Sequence, residues 1–183
     1  MNRSEFLRTT LGIIALSNTS MKPFKNYDPL ILIGKGTPKL VGSSFSILPE
    51  VKVALEKMTL AAKNDGIEIK VVSAYRSYDR QKGIWNSIFV RFEKQGFRNI
   101  AIIDQIIKYS TIPGTSRHHW GTDMDIVDGS KSKDGDVLIA EKFHGKGPYV
   151  KLRKWMEQYA ESYGFYLPYT QTTNRKGFYY EPW

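Results

Sequence analysis

Apolar and polar residues along this chain recur at two periods, and the switches between them mark out the elements. Val51, Leu55, Met58 and Ala62 recur at spacings of three and four, which predicts an amphipathic helix over 48–64. Pro49 suits its first turn and Gly66 its stop. Ile67 to Val72 alternates and is β-branched, the pattern of a strand. A second helix is predicted over about 78–95, with Ser77 as its cap and Asp79 in its first turn. Ile84, Trp85, Ile88, Phe89 and Phe92 would form its buried stripe. A shorter helix follows near 99–109, then a loop over 110–119 broken by Pro113-Gly114, then a second strand from Thr122 to Val127. Residues 128–148 are polar and rich in Gly and Lys. A last helix over 149–163 carries Leu152, Trp155, Met156 and Tyr159 on one face and stops at Gly164. Phe165–Tyr169 and Gly177–Trp183 read as two final strands of a hairpin. Helices and strands alternate only loosely, and several links are hairpin-like. The expected fold is therefore α+β, a mostly antiparallel sheet with helices packed against it.

The length of 183 residues suits one domain. Residues 22–46 read as an arm with one apolar patch, Leu30–Ile33. Before it, Arg3 and Arg8 flank a start that leads into the short apolar run Leu11–Leu16 and then small polar residues. Basic, apolar, small is the order of a secretory signal, and the run is too short for a transmembrane helix. The expectation is a signal or N-terminal arm over 1–20, a domain over 28–183, and a periplasmic or secreted location. An amphipathic first helix packed on the domain is the alternative reading of 1–20.

Charge changes the picture little. Lys and Arg number 27 against 18 Asp and Glu, a net charge of +9, which favours a polyanionic neighbour. The basic residues are scattered without a run, which argues against nucleic acid as the partner. Cysteine changes it more. There is none, so disulfides and thiolate metal sites are excluded, and any zinc must be held by His and carboxylates. Only His118, His119 and His144 are available.

Two of those histidines fall in the most informative segment, Pro113 to Asp125. His118 lies on the loop and Asp125 in the predicted strand, seven residues on, so a turn is needed to bring them together; Gly121 can provide it. Asp123 and Asp125 face the same way along the strand, while Met124 and Ile126 face the core. Two neighbouring carboxylates with no partner are costly to bury, so a cation is expected beside them.

Ser116, His118, Gly121 and Asp125 meet the pattern Ser-x-His-x-x-Gly-x-x-x-Asp. At ~1/20 per position, four fixed residues arise by chance in about one chain of this length in a thousand. This segment resembles the VanY-type D-alanyl-D-alanine carboxypeptidase family, zinc peptidases of the Hedgehog/DD-peptidase-like fold. Tyr75-Arg76-Ser77 with Gln81, and Glu181-Pro182-Trp183, are similar to that family's other two blocks, in the right order. The resemblance runs from about residue 28 to the end.

The resemblance implies a zinc-dependent hydrolase acting on D-alanyl-D-alanine or related C-terminal bonds of peptidoglycan stem peptides. His118 and Asp125 would be metal ligands. Glu181 would be the general base and Arg76 a donor to the substrate carboxylate or developing oxyanion. Gln81 and Ser116 would hydrogen-bond the peptide, and Tyr75 and Trp120 would form apolar walls. A third zinc-ligating histidine would follow directly after Trp183, which leaves the domain short of it at its C-terminus; His144 is the substitute the sequence itself offers. The expected partners are the stem peptide, with no nucleic acid, no stable membrane span and a monomeric state. His119, adjacent to a ligand, is expected to be structural or to support the ligand. Asp128 is read as a turn residue. Two positions depart from the family pattern: Asp123 stands where a small residue is usual, and Arg117 where an acidic one is frequent. Two rival functions are a catalytically inactive peptidoglycan-binding module and, from charge alone, a nucleic-acid-binding protein.

Overall fold

A computed structural model of the protein describes residues 28–171 and 178–183. The expected segment at 1–20 lies outside the described residues. The chain enters through a single helical turn, α1 (Pro29–Leu32), capped by Asp28, whose carboxylate accepts from the Leu30 N–H at 2.9 Å. The helix α2 (Pro49–Asn64) matches its sequence pattern closely: proline in the first turn, Glu50 beside it, and Leu55, Met58 and Ala62 on the buried face. Gly66, at φ +71°, takes the chain off its end.

The strands are shorter than the sequence suggests. β1 (Ile69–Ser73) pairs antiparallel with β2 (Asp125–Asp128), Ile69 opposite Asp128 and Ser73 opposite Asp125. A bulge between Val71 and Ser73 breaks the register and re-aims the end of β1 toward Asp125. The expected final hairpin is absent among the described residues. Its two segments meet where the Glu181 N–H donates to the Tyr169 carbonyl, and the chain's end meets β2 where the Ile126 N–H donates to the Trp183 carbonyl, both at 3.1 Å. The C-terminal segment therefore runs beside β2 without forming a ladder. The fold is α+β, and its antiparallel sheet has two strands among the described residues.

The core lies between α2, the sheet and α5 (Val150–Tyr159), which continues as a tighter turn to Tyr163. Met58, Ala62, Ile67, Ile126, Val127, Phe143, Tyr149 and Leu152 are all but fully buried there. Burial of such side chains contributes about 1.5–3 kcal/mol each.

Between the strands run α3 (Tyr78–Lys94) and α4 (Ile100–Ile106), which pack on each other. The Ser77 hydroxyl caps α3, accepting from the Arg80 N–H at 3.2 Å. The stripe expected to be core on α3 is only half-buried, and the helix's one fully buried side chain is a polar one, Gln81. The reason is placement: α3 covers α4, whose Ile102 and Ile106 are buried, and lies outside the main core. No helix among the described residues is long and apolar enough to cross a membrane.

Candidate active site

The site forms where β1 ends, where β2 begins and where the loop before β2 turns. That turn is a short 3-10 segment (Arg117–Trp120) closed by Gly121 in the left-handed conformation, φ +70°. The positive φ favours glycine at this turn, and a side chain at residue 121 would put its Cβ 2.8 Å from Leu40 Cδ2 and so displace the tip of that leucine. The turn reverses the chain and brings His118 back over β2. His118 Nε2 lies 3.4 Å from Asp125 Oδ2 and 3.8 Å from Asp123 Oδ2. The three side chains are 12–19% exposed.

His119 points the other way and is fully buried. Its Nδ1 lies 2.5 Å from the Arg76 carbonyl, and its Nε2 accepts from the Gly114 N–H at 3.1 Å. Both ring nitrogens are thus used by backbone, which requires the neutral ring protonated on Nδ1. Burial pushes its pKa below the usual imidazole value. A Cβ at Gly34 would meet this ring at 2.5 Å, so α1's end can pack here only as glycine. With the Arg76 N–H donating to the His118 carbonyl at 3.1 Å, His119 pins the exit of β1 to the turn that carries His118.

Arg76 is thereby placed beside the histidine–aspartate pair. Its Nη1 donates to Gln81 Oε1 at 2.7 Å and its Nη2 to Ser73 Oγ at 3.0 Å. Gln81 in turn donates to Ser110 Oγ at 2.9 Å and the Thr111 carbonyl at 2.7 Å. Burial lowers the Arg76 pKa, against the raising effect of the Asp125 charge and, more weakly, of Asp123 and Glu181. A guanidinium remains charged throughout.

These groups share a cavity of about 620 Å³ lined by Arg76, Ser116, His118, Asp125, Glu181 and Trp183, among others. Of the residues picked from the sequence, the structure therefore brings together His118, Asp125, Arg76, Glu181 and Ser116. Gln81 and Tyr75 are not among the cavity's lining residues. Gln81, expected at the substrate, is fully buried behind Arg76, with its amide committed to protein partners. Tyr75 is half-buried beside Arg76, and Trp120, the other expected wall, lines a neighbouring cavity instead. His144 lies 3.2 Å from the Tyr180 hydroxyl and does not line the site, so it is no substitute ligand. Asp128, expected in a turn, is instead the buried last residue of β2 and anchors the turn that follows, its Oδ1 accepting from the Ser130 N–H at 3.1 Å and Ser130 Oγ at 2.7 Å. Sequence reasoning missed Ser73 and Ser110, which hold Arg76 and Gln81. Ser110 carries no local signal because its partner lies 29 residues away, whereas Ser73 stands only three residues before Arg76 and is aimed at it by the end of β1.

The donor set can be tested against a zinc ion. Two ligands on a tetrahedral zinc with bonds of about 2.0–2.1 Å sit about 3.3 Å apart. The 3.4 Å between His118 Nε2 and Asp125 Oδ2 matches that edge. They fit as two of the three protein ligands of a catalytic zinc. No group of three His, Cys, Asp or Glu that could hold a metal occurs among the described residues. His118 Nδ1, buried, has no hydrogen-bond partner among them.

Sequence and structure comparisons give the class. The profile of the VanY D-alanyl-D-alanine carboxypeptidase family matches residues 44–183. The chain belongs to that family. The Bacillus subtilis protein YodJ, a carboxypeptidase by name, is 30% identical over 184 residues, 98% of this chain. The chain spans 61% of that relative's length. The solved structure of the L,D-carboxypeptidase LdcB is 27% identical at a TM-score of 0.60, covering 82% of this chain and 68% of that one. A VanY D,D-pentapeptidase variant from a VanB-type vancomycin-resistance cassette, solved in complex with Zn(II), is similar in fold, with a TM-score of 0.62 and 24% identity, covering 80% of this chain and 76% of that one.

Proposed function

We propose that the chain is a zinc-dependent carboxypeptidase that hydrolyses the C-terminal D-alanyl-D-alanine bond, or a related one, of peptidoglycan stem peptides. The observation that carries this reading is the approach of His118 Nε2 and Asp125 Oδ2 to 3.4 Å in one cavity with Arg76 and Glu181. A zinc ion held by that pair would act as a Lewis acid on the scissile carbonyl and lower the pKa of a bound water.

The chain's own residues do the rest. Arg76 spends one N–H on Gln81 and one on Ser73. Three of its five donors have no partner among the described residues and would be available to the substrate's terminal carboxylate. Because two partners already orient the fork, little ordering is left for the moment of binding. The Glu181 carboxylate lines the same cavity and would take a proton from the attacking water and deliver it to the leaving amine nitrogen, releasing D-alanine. Ser116, 2% exposed on the cavity wall, would support the peptide. Such a substrate places the protein in the cell envelope, consistent with the signal-like order of residues 1–20 and with the net charge of +9 beside anionic wall polymers.

The test has two arms. The Trp183 carbonyl is bonded to the Ile126 N–H, so a residue following Trp183 would start beside Asp125. Reading the gene past that codon shows whether a histidine stands there. Zinc content and D-alanine release from a pentapeptide are then measured on the natural full-length protein. Zinc binding with turnover supports the proposal. Zinc-loaded protein that cleaves no D-Ala-D-Ala or L,D peptide, yet binds peptidoglycan, would make it an inactive wall-binding module instead.

A further inference from the structure

A second carboxylate stands beside the metal-ligating pair. Asp123 Oδ2 is 3.8 Å from His118 Nε2, about half an ångström beyond the edge expected for two ligands on one tetrahedral zinc. Asp123 Oδ1 lies 3.5 Å from Arg117 Nε. One is an acid and the other a permanent cation. The fold sets them against each other.

Arg117 is itself fixed. Its Nη2 donates to the Tyr166 hydroxyl at 2.9 Å, and its guanidinium carbon lies 4.9 Å from the Trp120 ring and 5.5 Å from the Tyr166 ring. Cation–π contact and the hydroxyl restrain the guanidinium whose Nε faces Asp123. Arg117 and Asp123 are 23% and 19% exposed, so solvent screens their attraction only in part. An aspartate free of such a restraint, this close to a divalent cation, is a competent oxygen ligand. It would occupy the position that a catalytic zinc keeps open.

We propose that Arg117 is a positioning residue that holds the Asp123 carboxylate just outside the metal's coordination shell, so that one position stays open for the reaction. The proposal rests on the zinc reading of His118 and Asp125 above.

The test uses the full-length protein with Arg117→Gln, Arg117→Lys, Asp123→Ala and the Arg117→Gln/Asp123→Ala double variant. Zinc affinity is measured by competition with a chelating dye, coordination by the visible spectrum of cobalt(II)-substituted protein, and kcat and KM on an acyl-D-Ala-D-Ala peptide. Arg117→Gln should tighten zinc binding about tenfold, weaken the cobalt band as the coordination number rises, and lower kcat about tenfold to a hundredfold with little change in KM. Removing Asp123 in the double variant should reverse all three effects, and Arg117→Lys should lie between, since it keeps the charge without the fork. Unchanged zinc affinity and spectrum in Arg117→Gln, or changes that Asp123→Ala does not reverse, would overturn the proposal. A wild-type protein that binds zinc without turnover sinks the hydrolase reading alone, because affinity and spectrum still report on Asp123. A protein that binds no zinc sinks both.

Discussion

Replacing Gln81 by leucine tests the support of Arg76 most directly. Gln81 is fully buried and makes three side-chain hydrogen bonds: one from Arg76 Nη1 and two to Ser110 Oγ and the Thr111 carbonyl. A neutral hydrogen bond contributes about 1 kcal/mol net and one to a charged group about 1.5–3 kcal/mol. Leucine removes two of the first kind and one of the second, a loss of roughly 3–5 kcal/mol, a large share of a stability of about 5–15 kcal/mol. At about 2–4 °C per kcal/mol for a domain of this size, the midpoint should fall by roughly 6–20 °C. Calorimetry reads that directly. Arg76 loses one of its two anchors, so on the proposed function kcat/KM on a D-Ala-D-Ala peptide should fall about tenfold or more at temperatures where the variant is folded. Gln81→Glu separates the two effects. Its carboxylate keeps the contact with Arg76 but faces the Thr111 carbonyl without a proton, so stability should fall while much of kcat/KM survives. A leucine variant melting within about a degree of wild type, with unchanged kcat/KM, would refute the assignment of Gln81 as the prop of Arg76.

Three further expectations follow from the same geometry. Gly121→Ala forces a side chain into φ +70° and against Leu40, and should destabilise by about 1–3 kcal/mol, read as a lower urea midpoint. Burial depresses the His119 pKa, so the unfolded chain takes up a proton there before the folded one does. Its contribution to stability is therefore whole above an unfolded value of about 6.5 and is lost as pH falls below it. His119→Gln should flatten that acid slope of the urea midpoint, and an unchanged slope would assign it to other groups. His118→Ala and Asp125→Ala should each abolish the rise in melting temperature produced by added zinc, measured by differential scanning fluorimetry, whereas His144→Ala should leave it intact.

How much of this could be read along the chain depends on the range of the interactions involved. The helix at Pro49–Asn64 was legible because proline, the three-and-four spacing and the terminal glycine act within one element. His118, Gly121 and Asp125 were legible as a unit because seven residues with one glycine suffice to bring two side chains together. Local pattern misled on the α3 stripe and on the final hairpin. An amphipathic face says that a helix packs on something, not whether that is the main core or another helix. Alternating residues in the C-terminal segment say that it can lie extended, not that enough hydrogen bonds form to make a ladder.

The residue types and spacings along the chain were enough to determine the chemistry available: imidazole and carboxylate for a metal, a guanidinium, a late glutamate, no thiol. The roles were settled only by the fold. Gln81 became a prop for Arg76 because a helix face buries it beneath the arginine, and His119 became a backbone staple because its ring reaches from Gly114 in its own loop to the Arg76 carbonyl, 43 residues away in the chain. Asp123 and Arg117 were two unrelated oddities in the sequence and a single ion pair in space. Electrostatic and hydrogen-bond energies depend on distance and burial. Those quantities exist only once segments remote in the chain have been brought together.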